Sequence, residues 1–266
     1  MRTLVLAYCM IDLHKINFDS FGMSKVYIYS RCNQVPNYRG SGKVVVINST
    51  QTGSCDFEYA KHIATYGIDG PTLFMKDTFR NVHQPGAALH PITRVILEGT
   101  KNGFACALFW KPYKSSILWH DMRIKTFTMK EYKSKKIASN FSSLGAWWDA
   151  HPTLFRNKTF GYVPACYGGT FMVNKHLTVP NVFGSIDLKN EETNHFMERS
   201  WARVFVNVEF NHYCKYLLSA NSVSMLPGVH VCSQTPETPA QTTWLKRIYH
   251  DVTWVLTTLR RAFVGW

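Results

Sequence analysis

Hydrophobic and polar positions follow two rhythms over the first eighty residues. Residues 3–9 (TLVLAYC) form an unbroken apolar run, as expected of a strand covered on both faces. Residues 10–24 read as a polar connection or a short helix. Val26-Tyr27-Ile28-Tyr29 predicts a second strand ending at Ser30-Arg31, and residues 43–47 (KVVVI) predict a third. The period then lengthens. Residues 56–66 place Phe57, Ala60, Ile63 and Ala64 on one helical face, and Gly67 suits the helix end. Pro71 to Met75 predicts a fourth strand, stopping at Lys76-Asp77. Three strands, a helix and another strand are the opening of an α/β domain.

The pattern is less decisive further on. Residues 95–97 and 105–110 fit either strand or helix, and residues 144–148 are aromatic, with Trp147-Trp148-Asp149 placed to frame a pocket. Thr170 to Asn174 predicts a late strand. Residues 191–206 predict a helix, with Asn190 as its cap and Glu191 and Glu192 in the first turn, where carboxylates suit the helix dipole. Residues 233–243 (SQTPETPAQTT) read as a linker. Residues 244–263 repeat apolar side chains at helical spacing from Trp244 to Phe263. The expected organisation is therefore a domain over 1–232, a linker over 233–243 and a C-terminal amphipathic helix over 244–266. That helix either packs on the domain or lies on a membrane surface.

Composition adds an ordinary globular balance, with 45% hydrophobic and 18% charged residues, which excludes a disordered chain. The formal net charge of +13 favours polyanions, anionic membranes or phosphorylated small molecules, and equally fits a solvated basic surface. The stretch from Arg123 to Lys136 interleaves basic residues with Phe127 and Tyr132, so it suits either a nucleic-acid contact or a solvated face. Seven cysteines are widely spaced, with no Cys-x-x-Cys pair and no zinc spacing. They read as mostly buried free thiols in a reducing compartment, which leads to a cytoplasmic expectation. Sequons begin at Asn48, Asn140 and Asn157 and matter only for a secreted chain. No run reaches the roughly 18 apolar residues that span a bilayer.

Three candidate chemistries follow. Gly40-Ser41-Gly42-Lys43 imitates part of a phosphate loop, but Asn37 and Val44 stand where such a loop needs Gly and Ser/Thr, so a tight turn before a strand is the better reading. In open α/β sheets ligands bind outside the carboxyl ends of the strands, which draws together Ala7-Tyr8-Cys9, Ser30-Arg31 and Lys76-Asp77. There Asp77 is a lone carboxylate able to hold a divalent cation with substrate phosphates, while Lys76 or Arg80 can neutralise a diphosphate directly. Last, the segment from Asn194 to Trp201 (NHFMERSW) places His195 and Trp201 each three residues from Glu198, on its side of a helix, with Arg199 directed elsewhere. A Glu beside Trp and His suits a general base, and equally a salt-bridged structural acid. A strand-first domain with a glycine-rich turn and an acid-bearing helix suggests an enzyme for a nucleotide-linked substrate, specifically a glycosyltransferase.

In this order, LVLAYC, VYIYSR, Asn48 to Tyr66 with Glu58-Tyr59, TLFMKD, CYGGTFMVNKH and HFMERSW resemble a domain family of fungi, algae and large algal viruses whose members look like glycosyltransferases of the GT-A type. The resemblance covers roughly residues 3–206. Lys76-Asp77 departs from it, since the family usually has an amide-glycine turn there. The small size is similar to that of chlorovirus enzymes that build capsid glycans, including a xylosyltransferase type.

The resemblance implies a GT-A-like α/β fold with a central mixed sheet flanked by helices, and transfer of a sugar, xylose among the candidates, from a UDP-sugar to a glycan hydroxyl. It implies that Ala7, Tyr8, Ser30 and Arg31 cradle base and ribose, and that Lys76, Asp77 and Arg80 meet the diphosphate, with manganese or magnesium at Asp77 left open. Tyr167, Gly168, Gly169 and Phe171 would shape the sugar pocket. If the reaction inverts configuration, Glu198 would deprotonate the acceptor hydroxyl, with Asp77 as the second candidate base. The partners expected are a nucleotide sugar and a glycan or glycoprotein acceptor rather than nucleic acid. A basic nucleic-acid-binding module and a membrane-peripheral protein using residues 244–266 are the alternatives.

Overall fold

The computed structural model describes residues 1–9, 13, 17–33, 36–49, 54–77, 89–107, 128–130, 136–141, 143–155, 169–177, 191–205, 214–217 and 229–233. The chain divides into two compact units, Met1–Gln234 and Thr235–Trp266, and every described residue belongs to the first. The predicted helix over 244–266 thus lies outside the described residues, as does most of the basic stretch at 123–136.

The core is an eight-stranded mixed sheet. Its first half is parallel: β1 (Thr3–Tyr8) pairs with β2 (Lys25–Ser30) on one side and β4 (Ile68–Lys76) on the other, and β3 (Lys43–Asn48) pairs with β2. Beyond β4 the direction alternates. Strand β8 (Phe171–Leu177) lies antiparallel between β4 and β5 (Gly103–Ala107), and β10 (Val229–Ser233) joins β5 to β9 (Cys214–Leu217). A separate hairpin pairs β6 (Thr128–Lys130) with β7 (Lys136–Ala138). The strand expected at 71–75 begins three residues earlier, and the ambiguous stretch at 105–110 contributes strand β5.

Alternation along the central strands feeds two cores. Val5, Ala7, Tyr27, Tyr29, Phe74 and Phe171 point to one face, covered by α1 (Cys55–Tyr66), α3 (Leu144–Asp149) and α4 (Glu191–Phe205). Leu4, Leu6, Tyr8, Val26, Ile28 and Met75 point to the other, covered by the 3-10 turn Phe18–Phe21 and by α2 (Leu89–Asn102). Residues 95–97 are therefore helical. Both faces of β1 are buried, as its unbroken apolar run requires. On α2, a Cβ at Gly99 would fall 2.5 Å from Met172 Cβ, so glycine is what lets this helix settle onto β8.

Local chemistry sets α1. Ser54 Oγ accepts the Asp56 N–H at 3.1 Å as its N-cap, and Gly67, at φ 68°, ends it by donating to Ile63 O. The Gly-Ser-Gly-Lys segment is a turn leading into β3, with Gly42 at φ 112°, as its neighbours predicted. Trp147 does not frame a pocket: it is buried and stacks on Phe196 with ring centroids 5.2 Å apart, so it serves the core between α3 and α4.

The expectation of mostly free thiols needs correcting. Cys9 and Cys32 form a disulfide across the ends of β1 and β2, Cys106 is also disulfide-bonded, and Cys55 is free and buried. Their wide sequence spacing hid the pairing, because parallel neighbouring strands bring residues 23 positions apart to one edge. Such bonds persist in oxidising surroundings. Among the described residues no helix is long and apolar enough to cross a membrane.

Candidate functional site

The strand order identifies one special place. The chain runs from β1 outward through β2 to β3, then returns through α1 to β4 on the opposite side of β1. This reversal makes the carboxyl ends of β1 and β4 a topological switch point, where open α/β sheets form a crevice. The residues that end these strands are Tyr8-Cys9, Ser30-Arg31, Asn48-Ser49 and Lys76-Asp77, and the first turn of α1 reaches the same edge.

Asp77 closes the switch point. It is buried, and its Oδ2 accepts the Cys9 N–H at 2.7 Å, tying the end of β4 to the end of β1. Arg31 is fixed by its own N–H, which donates to Tyr8 O at 2.9 Å. Lys76 shares the register level of Ala7 and Tyr29 and so faces the α1 and α4 side of the sheet.

Two acids of α1, neither assigned a role from sequence, complete this edge. Asp56 is fully buried. Its Oδ1 accepts the Trp201 indole N–H at 2.5 Å, and its Oδ2 accepts the Ser54 hydroxyl. Burial first, and then the charge of Glu198, push its carboxyl up to about 6, against the opposing pull of its hydrogen bonds and Lys76. Glu58 is also fully buried. Its Oε1 accepts the Ser49 hydroxyl at 2.5 Å and stands 4.0 Å from Arg31 Nε. Burial raises its pKa, while Ser49 and Arg31 oppose the rise.

The Arg31–Glu58 pair is incomplete. Glu58 Oε2 and Arg31 Nε are both buried without a hydrogen-bond partner among the described residues. Buried polar atoms are nearly always bonded, and each exception costs about 1–3 kcal/mol. In sequence both acids look like carboxylates placed near a helix N-terminus for its dipole. The signal available was that Glu58 follows Ser49 by nine positions, which is visible only once α1 folds back over the strand ends.

The predicted acid-bearing helix is α4. Glu198 is partly exposed, whereas Trp201, one turn on, is fully buried. Arg199 is not directed away as predicted: its Nη1 lies 3.7 Å from Glu198 Oε2 and donates to His195 O at 2.6 Å. The long guanidinium folds back along the helix, which adjacency in sequence does not reveal. The electrostatic influence of Glu198 on both Asp56 and Cys55, shared by Lys76, brings the α4 acid to the strand-end cluster.

The other predicted positions divide. Gly169 takes φ 61°, its carbonyl accepts the Tyr59 hydroxyl at 2.8 Å, and a Cβ there would lie 2.9 Å from Cys55 Sγ. It is thus pressed onto α1 beside Asp56. Phe171 is core instead of pocket wall: it is buried, stacking on Phe74 at 4.9 Å and on Trp201 at 5.4 Å. Ala7 and Tyr8 are buried on opposite faces of β1, and Ser30 is buried at the end of β2. Arg80, Tyr167 and Gly168 lie outside the described residues.

Among the described residues no group of three or more His, Cys, Asp or Glu side chains is arranged to hold a metal ion. Asp77 is a single carboxylate with one oxygen already engaged. Comparisons with protein families, curated proteins and solved structures gave no significant match.

Proposed function

We propose that the chain is a GT-A-like glycosyltransferase that moves a sugar from a nucleotide-sugar donor, expected to be a UDP-sugar, to a glycan hydroxyl. The observation that carries this reading is the switch point at β1 and β4, where Arg31, Lys76 and Asp77 end neighbouring strands and the charges of Lys76 and Glu198 both act on Asp56. Arg31 and Lys76 end strands on either side of β1. At a strand spacing near 4.8 Å this separates them by about 10 Å, a span suited to a nucleoside diphosphate.

In this reading the donor lies over the ends of β1, β2 and β4. The buried Ala7, Tyr8 and Ser30 support these strand ends from within the sheet, and Lys76 faces the leaving diphosphate as a point charge. Glu198, partly exposed and close to a cation, accepts the proton of the acceptor hydroxyl as its oxygen bonds to the anomeric carbon. The bond from that carbon to the diphosphate oxygen breaks, and the negative charge leaves with the nucleotide. Gly169, held by Tyr59 and pressed onto Cys55, fixes the turn that enters β8 beside the strand ends.

A thermal-shift screen with UDP, GDP, CMP and UDP-sugars, each with and without manganese, tests the proposal. A ligand that binds only the native state raises its melting temperature, so UDP or a UDP-sugar at millimolar concentration is expected to do so. If every nucleotide leaves the transition unmoved, the proposal fails.

A further inference from the structure

We infer that Glu58 is a positioning residue for Arg31, aiming its guanidinium at the phosphate groups of the donor. This rests on the nucleotide-sugar reading and narrows one part of it, because ribose is neutral and needs no cation, whereas a guanidinium fork matches phosphate oxygens. The geometry is a closed circuit. Glu58 is held by the Ser49 hydroxyl at 2.5 Å, the Ser49 N–H donates to Ser30 O at 2.7 Å, and Ser30 precedes Arg31. The Arg31 N–H is in turn anchored on Tyr8 O at 2.9 Å. With the backbone of Arg31 fixed, the direction of its side chain is the freedom that remains.

Glu58 constrains that direction without consuming it. The Glu58 side chain is 0% exposed and that of Arg31 18%, so the guanidinium reaches from a buried acid toward the surface. A purely structural ion pair would close to a bidentate contact. Here the approach stops at 4.0 Å, and Nε and Oε2 remain without partners among the described residues. A carboxylate set back by this distance still attracts the guanidinium yet leaves its donors for a second anion. Lys76, across β1, would take the other end of the same diphosphate.

Calorimetric titration of UDP and uridine onto the full chain, the Arg31→Ala, Glu58→Gln and Ser49→Ala variants and the Arg31→Ala/Glu58→Gln double variant tests the inference. Glu58→Gln should weaken UDP binding about tenfold and leave uridine nearly unchanged. The same substitution should have no further effect once Arg31 is alanine, because it acts through that residue. Ser49→Ala should reproduce the pattern at smaller amplitude, and it carries the test if Glu58→Gln does not fold. A loss that persists without Arg31, a loss equal for uridine, or no loss would each overturn the assignment while the nucleotide reading stands. A wild-type chain that binds no nucleotide would remove both.

Discussion

Trp201 donates its indole N–H to Asp56 Oδ1 across 2.5 Å, and both side chains are buried. One bond thereby fixes α4 against the first turn of α1 and sets the helix that carries Glu198 above the strand ends. Trp201 also stacks on Phe171 and Phe205 and meets Tyr59 edge to face, so the indole joins the aromatic core to the polar edge.

Trp201→Phe removes the indole N–H and part of the ring, so a buried carboxylate oxygen is left unsatisfied and a small cavity opens beside Phe171 and Phe205. The expected cost is about 1–3 kcal/mol from the unsatisfied oxygen, with a further cavity contribution. Because the indole orients α4, turnover should fall along with stability. Thermal unfolding and a donor-turnover assay on the same preparation check this, and a melting temperature equal to that of wild type would show that the bond is not made.

The pH dependence of stability has a definite sign. The Asp56 carboxyl is raised from its ordinary value near 3.8 to about 6, chiefly by burial and then by Glu198. A group whose folded pKa is raised stabilises the fold below its unfolded value, and that contribution is lost as pH rises through the folded value. Asp56 should thus cost stability progressively between about pH 4 and 6, with no further change above. Asp56→Asn has no charge to bury, so its stability relative to wild type should improve over the same window. Melting curves from pH 4 to 8 compare the two, and parallel curves would refute the assignment.

Gly169 is the glycine of the predicted sugar pocket that falls among the described residues. At φ 61° any other residue is strained, and a Cβ would lie 2.9 Å from Cys55 Sγ. Gly169→Ala should destabilise the fold by about 1–2 kcal/mol from the backbone alone, with more from the sulfur contact. Adding Cys55→Ala should recover the steric part and leave the conformational part, so the two substitutions should couple in a double-mutant cycle. Strict additivity in unfolding free energy would mean that the loop does not approach α1.

The parallel half of the sheet was legible in the sequence because each of its elements carries a local signal. β1 is apolar throughout, as a doubly covered strand must be, and α1 has both its apolar face and Gly67 at its end. The antiparallel insertion of β8 between β4 and β5 was not legible, since pairing across nearly a hundred residues leaves no periodic trace. The site divides in the same way. Arg31, Lys76 and Asp77 could be found because the carboxyl-end rule needs only strand ends. Asp56 and Glu58 could not, because what meets them, Trp201 of α4 and Ser49 at the end of β3, comes together only in the folded chain. Phe171 was misread for a related reason: an aromatic beside glycines suits a pocket wall or a core equally, and the strand that follows turns it inward.

Glu198 and Asp77 compete for the role of base, and their surroundings separate them. Glu198 is partly exposed, so its carboxylate can meet an acceptor hydroxyl, and Arg199 Nη1 at 3.7 Å holds it in place. Asp77 is buried and engaged by the Cys9 N–H at 2.7 Å, which suits a structural tie between β1 and β4 or an electrostatic role at the diphosphate. Glu198→Gln should therefore leave donor affinity intact and reduce turnover about a hundredfold or more. Asp77→Asn keeps an oxygen able to accept from Cys9, so the fold should survive while the charge is lost. If Asp77 acts on the donor, KM for the donor changes in that variant, and Asp77→Ala, which also loses the tie, melts at lower temperature. Steady-state kinetics of the three variants decide the assignment. A Glu198→Gln enzyme with full turnover, beside an Asp77→Asn enzyme with almost none and unchanged donor affinity, would transfer the base to Asp77.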